Sequence, residues 1–377
     1  MAPIPTLSRV LAGLCILGTL LPLLRLRPWW VRVWDFPRQQ LALLGVAAGP
    51  ALVAVGGLRQ PVDQVLLVLL VAAIAWQLGH VLPYTPLWPA QGKRTHSAPE
   101  RRLGLLVVNV LMDNRESAGL ASGIRASDPD LVLALETDAW WVERLAEILP
   151  RHGHRLLHPL DNTYGLALFS RLELVAPELR FLLRPEIPSL RTRVRLRSGE
   201  EVVLFGIHPE PPSPTEAPSS LPRDAELVLV GREAARECLP VIVAGDLNDV
   251  AWSHTSRLFR RLSGLIDPRI GRGVYNSFHA GHWWLRWPLD HVFYSPDFLL
   301  HRLQRLPAFG SDHFPILIEL ECQPRAAAVQ AVEAADRDDR REAAETLAEA
   351  AAEGAAQLPA SRTPSSSRWA SSMAGSS

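Results

Sequence analysis

Lysine is almost missing: Lys93 is the one lysine among 39 basic residues in a chain of 377. It falls in a linker, which argues against Schiff-base chemistry and against a phosphate-loop lysine. Cysteine is scarce too. Cys15, Cys238 and Cys322 lie far apart with no paired spacing, so neither a disulfide framework nor a cysteine zinc site is indicated. Net charge is absent, with 39 basic against 39 acidic residues, and the 48% hydrophobic content is ordinary for a folded chain. A collagenous, supercharged or wholly disordered protein is therefore excluded. The neutrality is a cancellation. Residues 1–100 carry eight basic and three acidic side chains, residues 101–322 carry 25 and 28, and residues 323–377 carry six and eight.

Three apolar stretches, residues 10–24, 41–58 and 65–82, hold no internal charge. A spanning helix needs about 20 apolar residues, so about three transmembrane helices are expected in a membrane region over residues 1–90. Arg25, Arg27 and Pro28 follow the first stretch where a signal peptide would need small residues for cleavage. Trp29, Trp30, Trp34, Tyr84 and Trp88 border the stretches as an interfacial aromatic belt would. This predicts a multi-pass protein of the inner cell membrane. The N-terminus and second loop carry Arg9 and Arg59; the first loop and the linker carry Arg25, Arg27, Arg32, Arg38, Lys93 and Arg94. By the positive-inside rule the globular block then faces the cytoplasm.

After a linker over residues 91–102 the pattern becomes short aliphatic runs alternating with amphipathic stretches. Residues 103–110, 131–136, 166–170, 202–208, 241–245 and 315–320 read as buried strands, and 191–197 as a strand with one wet face. Residues 116–126, 138–149, 224–236 and 253–262 read as helices. The interleaving predicts an α/β or α+β sandwich over residues 103–322. Residues 323–377 turn to Ala, Glu and Arg and then to Ser, the composition of a disordered low-complexity tail with a transient helix over 326–356.

Polar residues gather where the aliphatic runs end. Asn109, Glu136 and His208 each end one, Asp246 and Asn248 end another in Gly-Asp-Leu-Asn, Leu-Asp-His-Val carries Asp290 and His291, and Gly-Ser-Asp-His-Phe-Pro carries Asp312 and His313. Charge following a buried strand is costly unless used or paired, and that edge of an α/β sheet is where ligands bind. Carboxylate and amide oxygens suit Mg²⁺, which keeps positions open for phosphate and water. Phosphoester hydrolysis needs such a metal, a base or orienting carboxylate for water, and an acid for the leaving oxygen.

Together with Val-Val-Asn-Val, Leu-Ala-Leu-Glu, Gly-Leu-Ala-Leu-Phe-Ser-Arg and Gly-Ile-His-Pro, these motifs occur in the order of the endonuclease/exonuclease/phosphatase superfamily, which residues 103–320 resemble. The resemblance implies a four-layered α/β/β/α sandwich and a phosphoester hydrolase using Mg²⁺, with Mn²⁺ as the alternative. Asn109, Glu136 and Asp312 would lie on the metal side, with Glu136 the principal ligand. Asp246 would orient or deprotonate the attacking water, Asn248 would position the phosphate, and His208 and His313 would flank it, with Asp290 as a carboxylate partner of His313. Leu111 stands where abasic-site endonucleases carry an acid, which leaves one or two metals open. His291 reads as structural, and Arg191, Arg193 and Arg195 as a solvated strand face.

The cluster His-Trp-Trp-Leu-Arg-Trp at residues 282–287 precedes Asp290. Trp283 and Trp284 are expected either to meet the membrane interface and contact a lipid-linked substrate or to pack in the core. The reading that results is a membrane-anchored Mg²⁺-dependent phosphoesterase acting on a phosphoester or pyrophosphate of a small molecule or lipid. A membrane-associated nuclease and a catalytically silent membrane adaptor are the alternatives; a net acidic block is unusual for binding a polyanion. Resemblance to the vancomycin and teicoplanin resistance-associated membrane proteins, which act from the extracytoplasmic side, opposes the arginine count and leaves the face open.

Overall fold

The computed structural model describes residues 3–56, 58, 60–95 and 99–357. Arg59 and residues 358–377, which entered the loop count and the expected tail, lie outside them. The apolar stretches fold as α1 (Pro3–Leu20), the single turn α2 (Trp29–Arg32), α3 (Arg38–Gly56) and α4 (Pro61–Val81), with α1, α3 and α4 packed on one another. Two helical segments among the described residues, not the expected three, are long and apolar enough to cross a membrane: Thr6–Leu24 and Pro61–Tyr84. Helix α3 starts on Arg38, Gln39 and Gln40 and contains Pro50, which shortens its apolar run.

The bundle packs Ala12, Cys15, Leu41, Ala48 and Leu70 at its centre, encloses a polar network beside them and leaves an apolar exterior. Arg38 donates to Asp35 Oδ1 at 2.6 Å and to Gln77 Oε1 at 3.0 Å, and Gln77 Nε2 donates to Thr19 Oγ1 at 2.9 Å, all four residues being buried. Val10, Leu17, Leu43, Val46, Val65, Val68 and Val71 are instead exposed.

The later strands, most of them buried at nearly every position, form two sheets. One contains β1 (Arg102–Asn109), β2 (Leu131–Leu135), β3 (His154–His158), β4 (Leu166–Ser170), β10 (Phe298–Arg305) and β11 (Ile316–Cys322) in the order β10-β11-β1-β2-β4-β3. The other runs β5 (Glu173–Arg180), β6 (Ser189–Arg195), β7 (Glu201–Ile207), β8 (Val241–Asp246), β9 (Asp290–Tyr294) in that order. Period-two alternation decides the layers. Leu103, Leu105 and Val107 enter the core between the sheets with Leu190, Leu204 and Ile242, whereas Leu106 and Val108 face α5 (Ala118–Ser127) and α6 (Ala139–Ile148). Val203, Phe205 and Val243 meet α7 (Leu221–Ala234) and α8 (His254–Ser263), which completes the expected α/β/β/α layering.

The tail expectation is corrected over residues 337–357, which form helix α9 (Arg337–Gln357). It docks through Ala343 on Val228 and Leu258, through an Arg261–Asp339 ion pair and through a His254–Glu342 hydrogen bond. Low hydrophobicity suggested disorder; a narrow apolar contact flanked by an ion pair and a hydrogen bond suffices on an existing surface.

Candidate active site

Strand direction brings the polar motifs to one edge. Parallel β1 and β2 end at Asn109 and just before Glu136, and parallel β7 and β8 end just before His208 and at Asp246. Antiparallel β9 starts opposite, with Asp290 paired to Asp246, and antiparallel β11 starts three residues after His313. Backbone strain marks the same edge. Leu111, Glu136 and Asn248 take positive φ of 56°, 58° and 48°, the left-handed region that non-glycine residues adopt where surrounding structure holds them. Gly245 allows β8 to approach β7, since a Cβ there would lie 1.8 Å from the Ile207 carbonyl oxygen.

Asn109 Nδ2 donates to Glu136 Oε1 at 2.7 Å and to Asp246 Oδ2 at 3.3 Å, while its Oδ1 accepts from the Leu111 N–H at 3.0 Å. His313 Nδ1 lies 2.7 Å from Asp290 Oδ2, and its Nε2 lies 3.5 Å from Asp246 Oδ2. His208 Nε2 approaches Asp246 Oδ2 from another direction at 4.0 Å. Asn248 N–H donates to Asp246 Oδ1 at 2.9 Å, and its Nδ2 to the Pro209 carbonyl at 3.0 Å. Two serines brace this arrangement. Ser311 Oγ donates to the Asn109 carbonyl and accepts from the His313 N–H, and Ser277 Oγ accepts from the Leu289 and Asp290 N–H groups.

Burial pushes the Glu136 carboxyl up, since removing it from water disfavours its charge and Asp246 adds repulsion. Burial also opposes charge on Asp246, but His313, His208 and the Asn248 and Asn109 hydrogen bonds hold it below the usual carboxylate range. Asp290 is pushed up by burial and by Asp246, against the pull of His313. For His313, burial works against the cation, yet Asp290 and Asp246 raise the imidazole to about 10. The site holds His313 protonated between two carboxylates.

The donor set fits a divalent cation. Asp246 and Asp290 place carboxylate oxygens within 4.8 Å of each other beside the protonated His313, and buried Asp290 Oδ1 has no hydrogen-bond partner among the described residues. Asp312, expected on the metal side, is half-buried and outside that group; its carbonyl accepts from the Ala280 N–H. His291 is fully buried, with Arg269 Nη2 at 2.6 Å from Nδ1 and the Asp249 carbonyl at 2.9 Å from Nε2, a structural role. Arg191, Arg193 and Arg195 pair with Glu237, Glu201 and Glu173 along the strand face. Trp283 and Trp284 are 82% and 57% exposed, which decides against core packing.

Sequence spacing did not reveal Ser277, Phe278 or Arg223. The Phe278 ring lies 4.9 Å from that of His313, and Arg223, fully buried, donates from Nη1 to the Asn248 carbonyl at 2.8 Å. Ser311 lies within the Gly-Ser-Asp-His motif itself.

The model of the Endonuclease/Exonuclease/phosphatase family matches residues 106–313, more than half of the chain. Among solved structures, D. rerio TDP2 with a single-strand DNA product is similar at a TM-score of 0.50 and 18% identity, covering 58% of this chain and 99% of that one. An endonuclease/exonuclease/phosphatase from Beutenbergia cavernae DSM 12333 gives 0.48 and 20% over 59% and 72% of the two chains. The human Nocturnin catalytic domain with bound sulfate gives 0.48 and 16% over 61% and 98%. No curated protein sequence matches. With the strand-end carboxylates and histidines assembled at one edge and the family model spanning them, the chain belongs to the endonuclease/exonuclease/phosphatase family, hydrolases of phosphoester bonds.

Proposed function

We propose that the protein is a membrane-anchored, Mg²⁺-dependent phosphoesterase, with Mn²⁺ as a substitute, hydrolysing a phosphoester or pyrophosphate presented at the bilayer. Residues 1–90 are its membrane region, residues 91–102 a linker and residues 103–322 its catalytic domain. The observation that carries this reading is the loop between Ser277 and Asp290. Its Phe278 packs on His313, while its Trp284 carbonyl accepts from Gln40 Nε2 in the first turn of α3. One loop thus joins the catalytic histidine to the end of an apolar bundle, with Trp283 and Trp284 exposed where an interfacial aromatic is favoured. The apolar exterior and internally bonded polar groups of the bundle also suit a lipid surround.

Glu136, Asp246 and Asp290 are the carboxylates that would hold the metal, with Asn109 fixing Glu136. The bound ion would neutralise charge on the phosphate. Asp246 orients or deprotonates the attacking water, Asn248 positions the phosphate, and protonated His313, fixed by Asp290, supplies positive charge and a proton for the leaving oxygen. His208 Nε2 lies 4.0 Å from Asp246 Oδ2. The loop arginines do not choose a membrane face, because Arg27, Arg32 and Arg38 all have acidic partners that account for their placement.

The test is hydrolysis by detergent-solubilised full-length protein of DNA, phospholipid, polyprenyl pyrophosphate and inositol phosphates, with and without EDTA. EDTA-sensitive turnover of a lipid-linked phosphate is expected. Turnover of DNA alone would replace this reading with the nuclease, and absence of any hydrolysis would favour the silent adaptor.

A further inference from the structure

One ring beside the catalytic histidine gathers two positive charges. Phe314 follows His313, and the guanidinium carbons of Arg305 and Arg286 lie 4.3 Å and 5.0 Å from its ring centroid. Arg305 ends β10 at the catalytic edge, paired with Ile316, and Arg286 belongs to the Trp283–Trp284 loop. Both are held by backbone carbonyls. Arg286 donates from Nε to His282 and from Nη2 to Ala280, and Arg305 donates from Nη1 to Asn276.

Neither arginine has a carboxylate within 4.0 Å among the described residues, and Arg286 Nη1 and Arg305 Nη2 donate to no described group. Like charges held this close repel, and Arg305 is pushed below its ordinary value by burial and by Arg286. A dianionic group offers what the protein withholds. Planar guanidinium forks match phosphate oxygens, and stacking on Phe314 fixes their planes before a ligand arrives. Neither arginine is hydrogen-bonded or ion-paired to Glu136, Asp246 or Asp290, so these cations are not the partners of the metal-side carboxylates.

We propose that Arg286 and Arg305, laid against Phe314, form a second phosphate-binding site beside the catalytic centre. Its occupant is a phosphate other than the one attacked, supplied by the substrate itself or by a lipid headgroup of the bilayer. Its relevance to turnover rests on the phosphoesterase reading; its existence does not.

Calorimetry of the full-length solubilised protein in EDTA, with inorganic phosphate and inorganic pyrophosphate as probes, tests the site without catalysis. Arg286→Gln and Arg305→Gln should each weaken binding at least tenfold, and Arg286→Lys, which keeps charge but loses the fork, should fall between. Circular dichroism identifies any misfolded variant, for which the lysine substitution at the same position is measured instead. A wild-type protein that binds neither probe, or variants that bind as well as wild type, would overturn the proposal.

Two further arms identify the source. A KM raised at least tenfold at unchanged kcat for a diphosphate substrate, but not for bis(p-nitrophenyl) phosphate, assigns the site to the substrate. Lost co-sedimentation with phosphatidylglycerol vesicles at unchanged KM assigns it to a headgroup. If no phosphoester is hydrolysed at all, the calorimetric result still stands, so the two readings fail separately.

Discussion

At the junction between the helical bundle and the catalytic domain, Arg27, Arg32 and Arg223 converge on Asp224 at 3.3, 3.4 and 2.8 Å, with Ser220 and Thr255 completing its oxygens. Asp224 is held well below the usual carboxylate range, its burial outweighed by Arg223 and Arg32. At the catalytic edge the balance differs: Glu136 and Asp290 are pushed up, and among the described residues Asp290 Oδ1 has no hydrogen-bond partner and Arg286 and Arg305 have no acidic partner. Buried charge that finds its partners inside the protein is architecture. Where several unpaired groups cluster at one strand-end edge, a ligand belongs, because native folds tolerate that frustration chiefly at functional sites.

Mutations break the two regions in opposite ways. At the catalytic edge, Glu136→Gln and His313→Ala should each lower hydrolysis by about a thousandfold or more, since metal and proton chemistry both depend on them. The Glu136→Gln variant should nevertheless unfold in EDTA at or above the wild-type temperature, because the substitution removes a carboxylate that burial disfavours. Retained activity in either variant refutes the site, and a large loss of stability in Glu136→Gln refutes the contrast. At the junction, Asp224→Ala leaves three arginines around an empty position. It should cost about 3–5 kcal/mol in denaturant unfolding, the range for removing one member of a buried ion network.

The contrast recurs within a single helix, two residues along. Glu226 on α7 is buried like Asp224, but its Oε1 has no partner among the described residues, and burial and Glu210 raise it to about 8 despite Arg180. Below the unfolded-state value near 4.5 both states are protonated and the residue is neutral to stability. As pH rises from there to about 8, only the unfolded state releases the proton, so stability falls across that window and then levels off. Glu226→Gln should remove this loss, raising stability at pH 9 by on the order of 5 kcal/mol and leaving it unchanged at pH 4. Parallel melting curves of variant and wild type from pH 4 to 9 would contradict it.

How much was legible in the sequence follows the same division. Central strands β1, β2, β4, β7, β8 and β11 announced themselves as aliphatic runs, because both of their faces are covered. The strands that escaped, β3, β5, β9 and β10, are the four sheet edges; β3, β5 and β10 carry the mixed side chains of one wet side, whereas β9 is buried but short and opens on the polar pair Asp290 and His291. Catalytic residues were readable because strand-end chemistry sits in short contiguous motifs. The Arg286–Phe314–Arg305 cluster was not, since it joins a loop, a strand end and a residue following His313 that only tertiary packing assembles. The Trp283–Trp284 motif was readable but ambiguous, and exposure resolved it.

The junction also contains its own weak member. Arg27 reaches Glu349 of α9 at 2.8 Å, but Glu349 is half exposed and water screens the pair. Arg27 keeps Asp224 and Thr346 as partners when that contact is lost. Glu349→Gln should therefore lower the melting temperature by less than about 2 °C, against the collapse expected for Asp224→Ala, although both touch the same guanidinium. Equal losses from the two substitutions would mean that α9, rather than Asp224, holds the bundle to the catalytic domain, and burial would then be a poor guide to which partner matters.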